Sequence, residues 1–315
     1  SKRCLPVLVW LTLLGKELGA KMPLRLVKGA YWDTEIKQCQ VQGLDGYPVF
    51  TRKEGTDTSY LACARFLLSD FARDVIYPQF ASHNAHTVSC ILSMAAEYKE
   101  PREFEFQRLH GMGDALYDTV LEQHKTTVRI YAPVGAHKDL LPYLVRRLLE
   151  NGANSSFVHQ LVDPNTPIES LLDHPVTQLR KFKSLGNDKI PLPSALFGRA
   201  RKNSQGLNMN IQQSWAELEL AYQPHLNRQW QAAPVINGQK LSGTEQAVQC
   251  PYDLSKKVGS AQFATAAHAA QALDALHAAW PRWNATAIDV RATVLERLAD
   301  LLESNRGELM ALCTL

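Results

Sequence analysis

The sequence predicts an α/β chain, built first from consecutive strand-loop-helix units and then from a second, smaller unit. Three observations predict it. Four short apolar runs of strand length recur through the first half, each followed by sequence of helical period. Each run ends in polar or aromatic residues beside a glycine or another small residue. From Pro164 to about Gln231 a stretch bearing Pro, Asn and Lys breaks this rhythm, and new turn, strand and helix signals begin after Ala232.

The first element is a helix through Leu5 to Leu18. Its apolar run Leu5 to Leu14 is roughly half of a bilayer crossing and is followed by Lys16 and Glu17, so it is expected to be buried in protein. "PLRLVKGAYWD" holds the first strand, Leu24 to Val27, and a helix from about Thr56 to Leu68 follows. Further strands lie near Ile76 to Ala81, Glu103 to Leu109 and Val128 to Ala132. In the third strand Phe106 and Arg108 alternate with Gln107 and Leu109, so one set faces the helices and the other the barrel interior. Ligands sit at the carboxyl ends of strands in parallel α/β barrels, so four such ends read as walls of one site. Four units make half of an eight-unit barrel, and an open doubly wound sheet fits the same pattern.

Residues 164–231 read as an ordered linker with one helix near Gln212 to Ala221. Beyond it come a turn at Asn237-Gly238, a short strand in "VGSAQFATA", and helices from about Ala264 to Ala279 and Ile288 to Ser304. Thr286 with Asp289 resembles a capping box for the second helix. Cys313 is expected in a core.

The balance of 34 basic against 31 acidic residues gives no basic surface for nucleic acid, so any anion site is local. The six cysteines are scattered without a CxxC pair, which argues against disulfide and zinc frameworks and fits a reducing cytoplasm. His83 and His86 have no third ligand at a sensible spacing, so no metal is expected. In "YLVRRLLENG" the adjacent Arg146 and Arg147 fit either a solvated helix face or a double grip on one carboxylate or phosphate.

The segments "RLVKGAYWDTEIK", "DGYPVFTRKEGTDTSYLACARFLL", "YPQFASHNAHT", "EFQRLHGMGDALY" and "RIYAPVGAHKDLLPYLVRRLLENGANSSFV" run in order over residues 5 to 163. Together they closely resemble the proline dehydrogenase domain of the bifunctional proline utilization flavoenzymes. The resemblance implies the C-terminal half of a distorted (β/α)8 barrel over residues 1–163, holding FAD at its strand ends and oxidising L-proline to pyrroline-5-carboxylate by hydride transfer. It implies that Arg146 and Arg147 bind the proline carboxylate, with Tyr31, Leu109, Tyr131 and Tyr143 around the substrate. Arg25 is implied as the catalytic cation beside the flavin, and Val27, Lys28, Gly29, Ala30, Trp32, Ser82 and His83 as FAD contacts. Ser82 stands where the family pattern has threonine, which keeps a hydroxyl.

Residues 232–315, with "CPYDLSKKVGSAQ" and "AAWPRWNATAIDVRATVLERLADLLESNRGELMAL", resemble the start of an aldehyde dehydrogenase. The resemblance implies a second activity, oxidation of glutamate semialdehyde with NAD, whose binding residues lie outside this chain. The chain opens on Ser1 and closes inside a helical pattern, so it is expected to be an internal piece, inactive alone. A homo-oligomer in full length, a membrane quinone as electron acceptor and cytoplasmic location with peripheral contact at the inner membrane are further implications. A phosphate-binding barrel enzyme and a noncatalytic barrel are the alternative readings.

Overall fold

The computed structural model describes residues 1–29, 31–152, 167 and 172–315, with the side chains of 150–152 excepted. Ala30 and the expected boundary at 163/164 lie outside the described residues. The chain divides into two compact units, Ser1–Gly206 and Leu207–Leu315.

The first unit is a four-stranded parallel sheet in the order β1 (Met22–Leu26), β2 (Ile76–Ala81), β3 (Glu105–Leu109), β4 (Thr127–Tyr131). Spatial order follows chain order, with no reversal point among the described strands. Helix α1 (Cys4–Leu18) precedes β1, while α2 (Trp32–Gln42) and α3 (Lys53–Leu67) lie between β1 and β2. Helices α4 (Ala85–Ala96), α5 (Asp114–His124) and α6 (His137–Gly152) follow β2, β3 and β4 in turn.

Strand alternation divides the sheet into two faces. Leu26, Phe80, Phe106 and Val128 stand level across the four strands and face the helices. Phe80 and Phe106 are fully buried, with ring centroids 6.3 Å apart, and Phe106 lies 5.8 Å from Tyr117 of α5. Rings of this size supply most of a core's apolar area, about 1.5–3 kcal/mol for each fully buried side chain. Gln79, Glu105 and Gln107 occupy the opposite, polar face, as the alternation in "FEFQRL" predicts.

Helix α1 buries only Leu8, Thr12 and Gly15. Trp10 is 60% and Leu13 51% exposed, so the expectation of a buried helix holds for one stripe and fails for the rest. Helix α2 was not expected from the sequence.

Helix α7 (Pro175–Arg180) also belongs to this unit, and the stretch after it lies along α2 and the start of α3. Arg52 Nε donates to the carbonyls of Ser184 and Gly186, at 3.2 and 2.9 Å, and Tyr47 to that of Pro191 at 2.6 Å. Asn203 Nδ2 donates to Gln40 O at 2.8 Å, and Gly206 N to Gly43 O at 3.0 Å. Gly43 ends α2 with φ +61, and a Cβ there would collide with the carbonyl of Ser204. Both facts call for glycine.

The second unit holds α8 (Gln212–Tyr222), a sheet in the order β5 (Trp230–Ala232), β9 (Asp253–Phe263), β8 (Thr244–Cys250), and a hairpin of β6 (Val235–Ile236) and β7 (Gln239–Lys240). Asn237 and Gly238 both have positive φ, 48 and 78, as a tight hairpin turn needs. Three helices follow: α9 (Ala266–Ala285), α10 (Ile288–Ser304) and α11 (Arg306–Thr314).

Two expectations are corrected here. The Thr286 hydroxyl donates back to Arg282 O at 2.9 Å, so it closes α9, and the N-cap of α10 is Ala287 without a side-chain bond. Cys313 is exposed, while Ala311 is the buried residue of α11.

Candidate active site at the carboxyl ends of the sheet

Helix α6 sets Tyr143, Arg146 and Arg147 at spacings of three and four residues, which place both guanidiniums on the side of the helix that carries the ring. The Arg147 guanidinium lies 5.4 Å from the centre of the Tyr143 ring. Tyr143 lies 6.3 Å from Tyr131, the last residue of β4, and Tyr131 lies 5.5 Å from the guanidinium of Arg25 on β1. Arg146 faces Tyr31 at 5.7 Å, immediately before α2. Two rings therefore stand in series between two guanidiniums from β1 to α6, and guanidinium–ring contacts stabilise by about 0.5–1 kcal/mol each at exposed positions. Leu109, half-buried, stands level with Tyr131 in the β3–β4 register.

The turn after β2 is held from two sides. Tyr117, buried on α5, donates to the carbonyl of Ser82 at 2.5 Å, and Ser82 Oγ accepts from Asn84 N at 3.2 Å. Asn84 caps α4 by accepting from Thr87 N at 2.9 Å. The backbone N–H of Leu109 donates to His83 Nε2 at 3.0 Å. Burial, then the nearby charges of Arg147 and Arg108, hold the His83 imidazole below its ordinary pKa. Arg147 thus brings α6 into electrostatic reach of the β2 turn.

At the end of β1, Lys28 Nζ sits 2.5 Å from Asp57 Oδ1 and donates to Thr87 Oγ1 at 3.3 Å, with the Tyr60 ring centre 5.3 Å away. Lys53 Nζ holds the other Asp57 oxygen at 2.6 Å. Burial pushes the Lys28 pKa down against the opposing pull of Asp57. Burial would raise the Asp57 carboxyl, but the two lysines outweigh it and leave it below the ordinary value. The Tyr60 hydroxyl reaches the carbonyls of Leu26 and Ala81, at 3.3 and 3.1 Å, tying the ends of β1 and β2 to α3.

Val27, Lys28 and Gly29 border a small cavity with Phe50, Tyr60 and Cys63. Trp32 is 38% exposed and its Nε1 donates to Phe50 O at 2.8 Å, which fixes the ring by the start of α2. Of the residues named from sequence, Arg25, Tyr31, Tyr131, Tyr143, Arg146 and Arg147 form one group, and Ser82, His83 and Leu109 a second. Lys53, Asp57, Thr87 and Tyr60 were not singled out from the sequence.

On the polar face of the sheet, Glu105 is fully buried and takes a two-pronged contact from Arg129, at 2.7 and 2.8 Å. Gln107 Nε2 donates to it at 2.7 Å and Tyr77 OH at 3.4 Å. The Arg129 fork is the main cause that holds this carboxyl below the usual glutamate value. Among the described residues, no cluster of three His, Cys, Asp or Glu is placed to hold a metal ion, and no helix is long and apolar enough to cross a membrane.

The family model described as proline dehydrogenase matches residues 1–160. This chain belongs to the proline dehydrogenase family. The aldehyde dehydrogenase family model matches residues 238–315. The bifunctional protein PutA of Escherichia coli (strain K12) is 43% identical over 323 aligned positions, which cover 99% of this chain and 24% of that protein. PutA of Rhizobium meliloti is 44% identical over 264 positions, covering 82% of this chain and 21% of the relative. A crystal structure of a Bradyrhizobium japonicum proline utilization A variant superposes with TM-score 0.80 and 41% identity, over 98% of this chain and 28% of that one. Proline utilization A from Bdellovibrio bacteriovorus, inactivated by N-propargylglycine, gives 0.79 and 30% identity over 98% of this chain and 31% of its own. This proline dehydrogenase family chain spans about a quarter of the length of these PutA relatives.

Proposed function

We propose that this chain carries one side of a FAD-dependent L-proline dehydrogenase site within a longer bifunctional polypeptide of proline catabolism. In this reading residues 1–163 supply the C-terminal half of a distorted (β/α)8 barrel, 164–231 an interdomain linker, and 232–315 the start of a dehydrogenase domain that oxidises glutamate semialdehyde with NAD. The observation that carries the reading is the series Arg25, Tyr131, Tyr143, Arg147, with Arg146 on Tyr31, at the carboxyl ends of a parallel sheet.

The donor set suits an anionic dinucleotide with a flat ring: cations, N–H donors and aromatic faces, with Lys28 beside the amino end of α4. FAD, when bound, supplies the hydride acceptor. Lys28, Ser82 and His83, with Val27, Gly29, Ala30 and Trp32, would hold it. His83 offers Nδ1–H, because its Nε2 is already an acceptor. Arg25 places a fixed positive charge at the rim, which favours negative charge gathering there during the reaction.

Arg146 and Arg147 compensate the buried carboxylate of L-proline and fix which ring carbon faces the acceptor. Tyr31, Tyr131, Tyr143 and Leu109 close around the pyrrolidine ring and keep water out. Electrons would leave to a membrane quinone, in a cytoplasmic homo-oligomer with peripheral contact to the inner membrane.

The test is anaerobic titration of the full-length FAD-loaded protein with L-proline, followed by flavin absorbance, beside an Arg146→Ala, Arg147→Ala double variant. Bleaching in the wild type with a large loss of proline affinity in the variant is expected. Bound flavin that proline does not reduce would overturn the assignment.

A further inference from the structure

We propose that Asp57 is a positioning residue for cofactor binding, which holds the Lys28 ammonium at the rim between α3 and the first turn of α4. The inference rests on the FAD reading above and extends it to a residue that need not touch the cofactor.

The geometry isolates this role. Lys28 follows β1 on a long, flexible stem, and such a side chain loses much rotamer freedom when one conformation is selected. Here the selection is made by Asp57 Oδ1 at 2.5 Å, with Thr87 Oγ1 at 3.3 Å and the Tyr60 ring centre at 5.3 Å. The Asp57 side chain is 15% exposed, so its carboxylate is shielded from water that would weaken the contact. Lys53 occupies the second oxygen and fixes the carboxylate plane. Two lysines on one carboxylate leave a net positive charge, and the amino end of α4, where Asn84 caps Thr87 N, adds its own partial charge. An anionic group of a cofactor therefore meets a pre-set cation rather than a mobile one.

Positioning and simple charge balance predict opposite signs. If Asp57 only offset positive charge, removing its charge would tighten the binding of an anionic cofactor. If it positions Lys28, removal weakens binding despite the gain in positive charge.

The experiment measures FAD affinity of the full-length apoprotein by quenching of flavin fluorescence, for wild type, Asp57→Asn, Asp57→Glu, Lys28→Met and the Asp57→Asn, Lys28→Met pair. Thermal unfolding of each apoprotein confirms that it is folded. Roughly tenfold weaker binding is expected in Asp57→Asn, with most of it recovered in Asp57→Glu. Because Asp57 acts through Lys28, the paired variant should bind no more weakly than Lys28→Met alone. Tighter binding in Asp57→Asn, or an equal loss in the Lys28→Met background, would overturn the proposal. If Asp57→Asn does not fold, Asp57→Ser in both Lys28 backgrounds gives the same comparison, and an equal loss in the two overturns it. FAD that binds while Lys28→Met leaves its affinity unchanged overturns this inference alone, whereas a wild-type protein that binds no FAD overturns the functional reading as well.

Discussion

The N–H of Leu109 donates to Nε2 of His83 across the β2–β3 strand ends, at 3.0 Å. A ring nitrogen that accepts is unprotonated, so His83 is held as the neutral tautomer with hydrogen on Nδ1. Nitrogen chemical shifts should report that tautomer throughout the neutral range.

Proton counting gives the pH dependence. The folded pKa of His83 lies below its ordinary 6.5, so as pH falls below that value the unfolded chain binds the proton first and stability declines. The decline continues until pH passes the folded pKa. His83→Asn should flatten this part of a denaturation-versus-pH curve, and an unchanged slope would show that another group carries it.

Tyr31 offers its face to Arg146. Tyr31→Phe keeps the face and should leave the KM for L-proline within about twofold, whereas Tyr31→Ala should raise it by about 2–5-fold, from ~0.5–1 kcal/mol of cation–π contact. Steady-state kinetics of the full-length protein decides. Equal effects of the two substitutions would point to the hydroxyl instead.

Glu105 and Arg129 are asymmetric partners, since Glu105 is fully buried and the Arg129 side chain is 61% exposed. Arg129→Met strands a carboxylate away from water and should destabilise the fold more than Glu105→Gln, which leaves an arginine that water can reach. Because the folded pKa of Glu105 is depressed, its contribution is present above the ordinary glutamate value and disappears as pH falls through the folded one. Denaturant titrations at neutral and acid pH should show the difference between wild type and Glu105→Gln shrinking on acidification.

Gly43→Ala should destabilise the first unit by more than the ~1 kcal/mol of a left-handed alanine, because its methyl would also displace Ser204 and the stretch that Gly206 N anchors on Gly43 O. Limited proteolysis near residues 198–206 should accelerate in the same variant. Unchanged cleavage would mean that this stretch is held elsewhere.

Helix face and strand end were legible where the relevant residues are local. Tyr143, Arg146 and Arg147 share one turn of sequence, and the rhythm of "FEFQRL" separates Phe106 from Gln107 without a structure. Helix α2 was missed because Tyr31, at its N-cap, makes no side-chain capping bond, although Gly43 marked its end. Thr286 was read as a start signal, yet a threonine hydroxyl serves equally to close the preceding helix. Lys28, Asp57 and Thr87 come from a loop and two helices, so no spacing announced them. The depth of Glu105 was equally hidden, because a glutamate inside an apolar strand signals its partner only once β4 is beside it.

The phenol of Tyr117 donates to the carbonyl oxygen of Ser82, and the single proton of Tyr60 is shared between those of Leu26 and Ala81, all at the strand ends. Exposed lone pairs at a sheet's edge would attract hydrated cations and repel phosphate or carboxylate. With these lone pairs partly satisfied from helices α3 and α5, less negative charge faces outward at the strand ends. Two uncharged side chains thus shape the charge of these strand ends alongside the arginines and lysines that crown them.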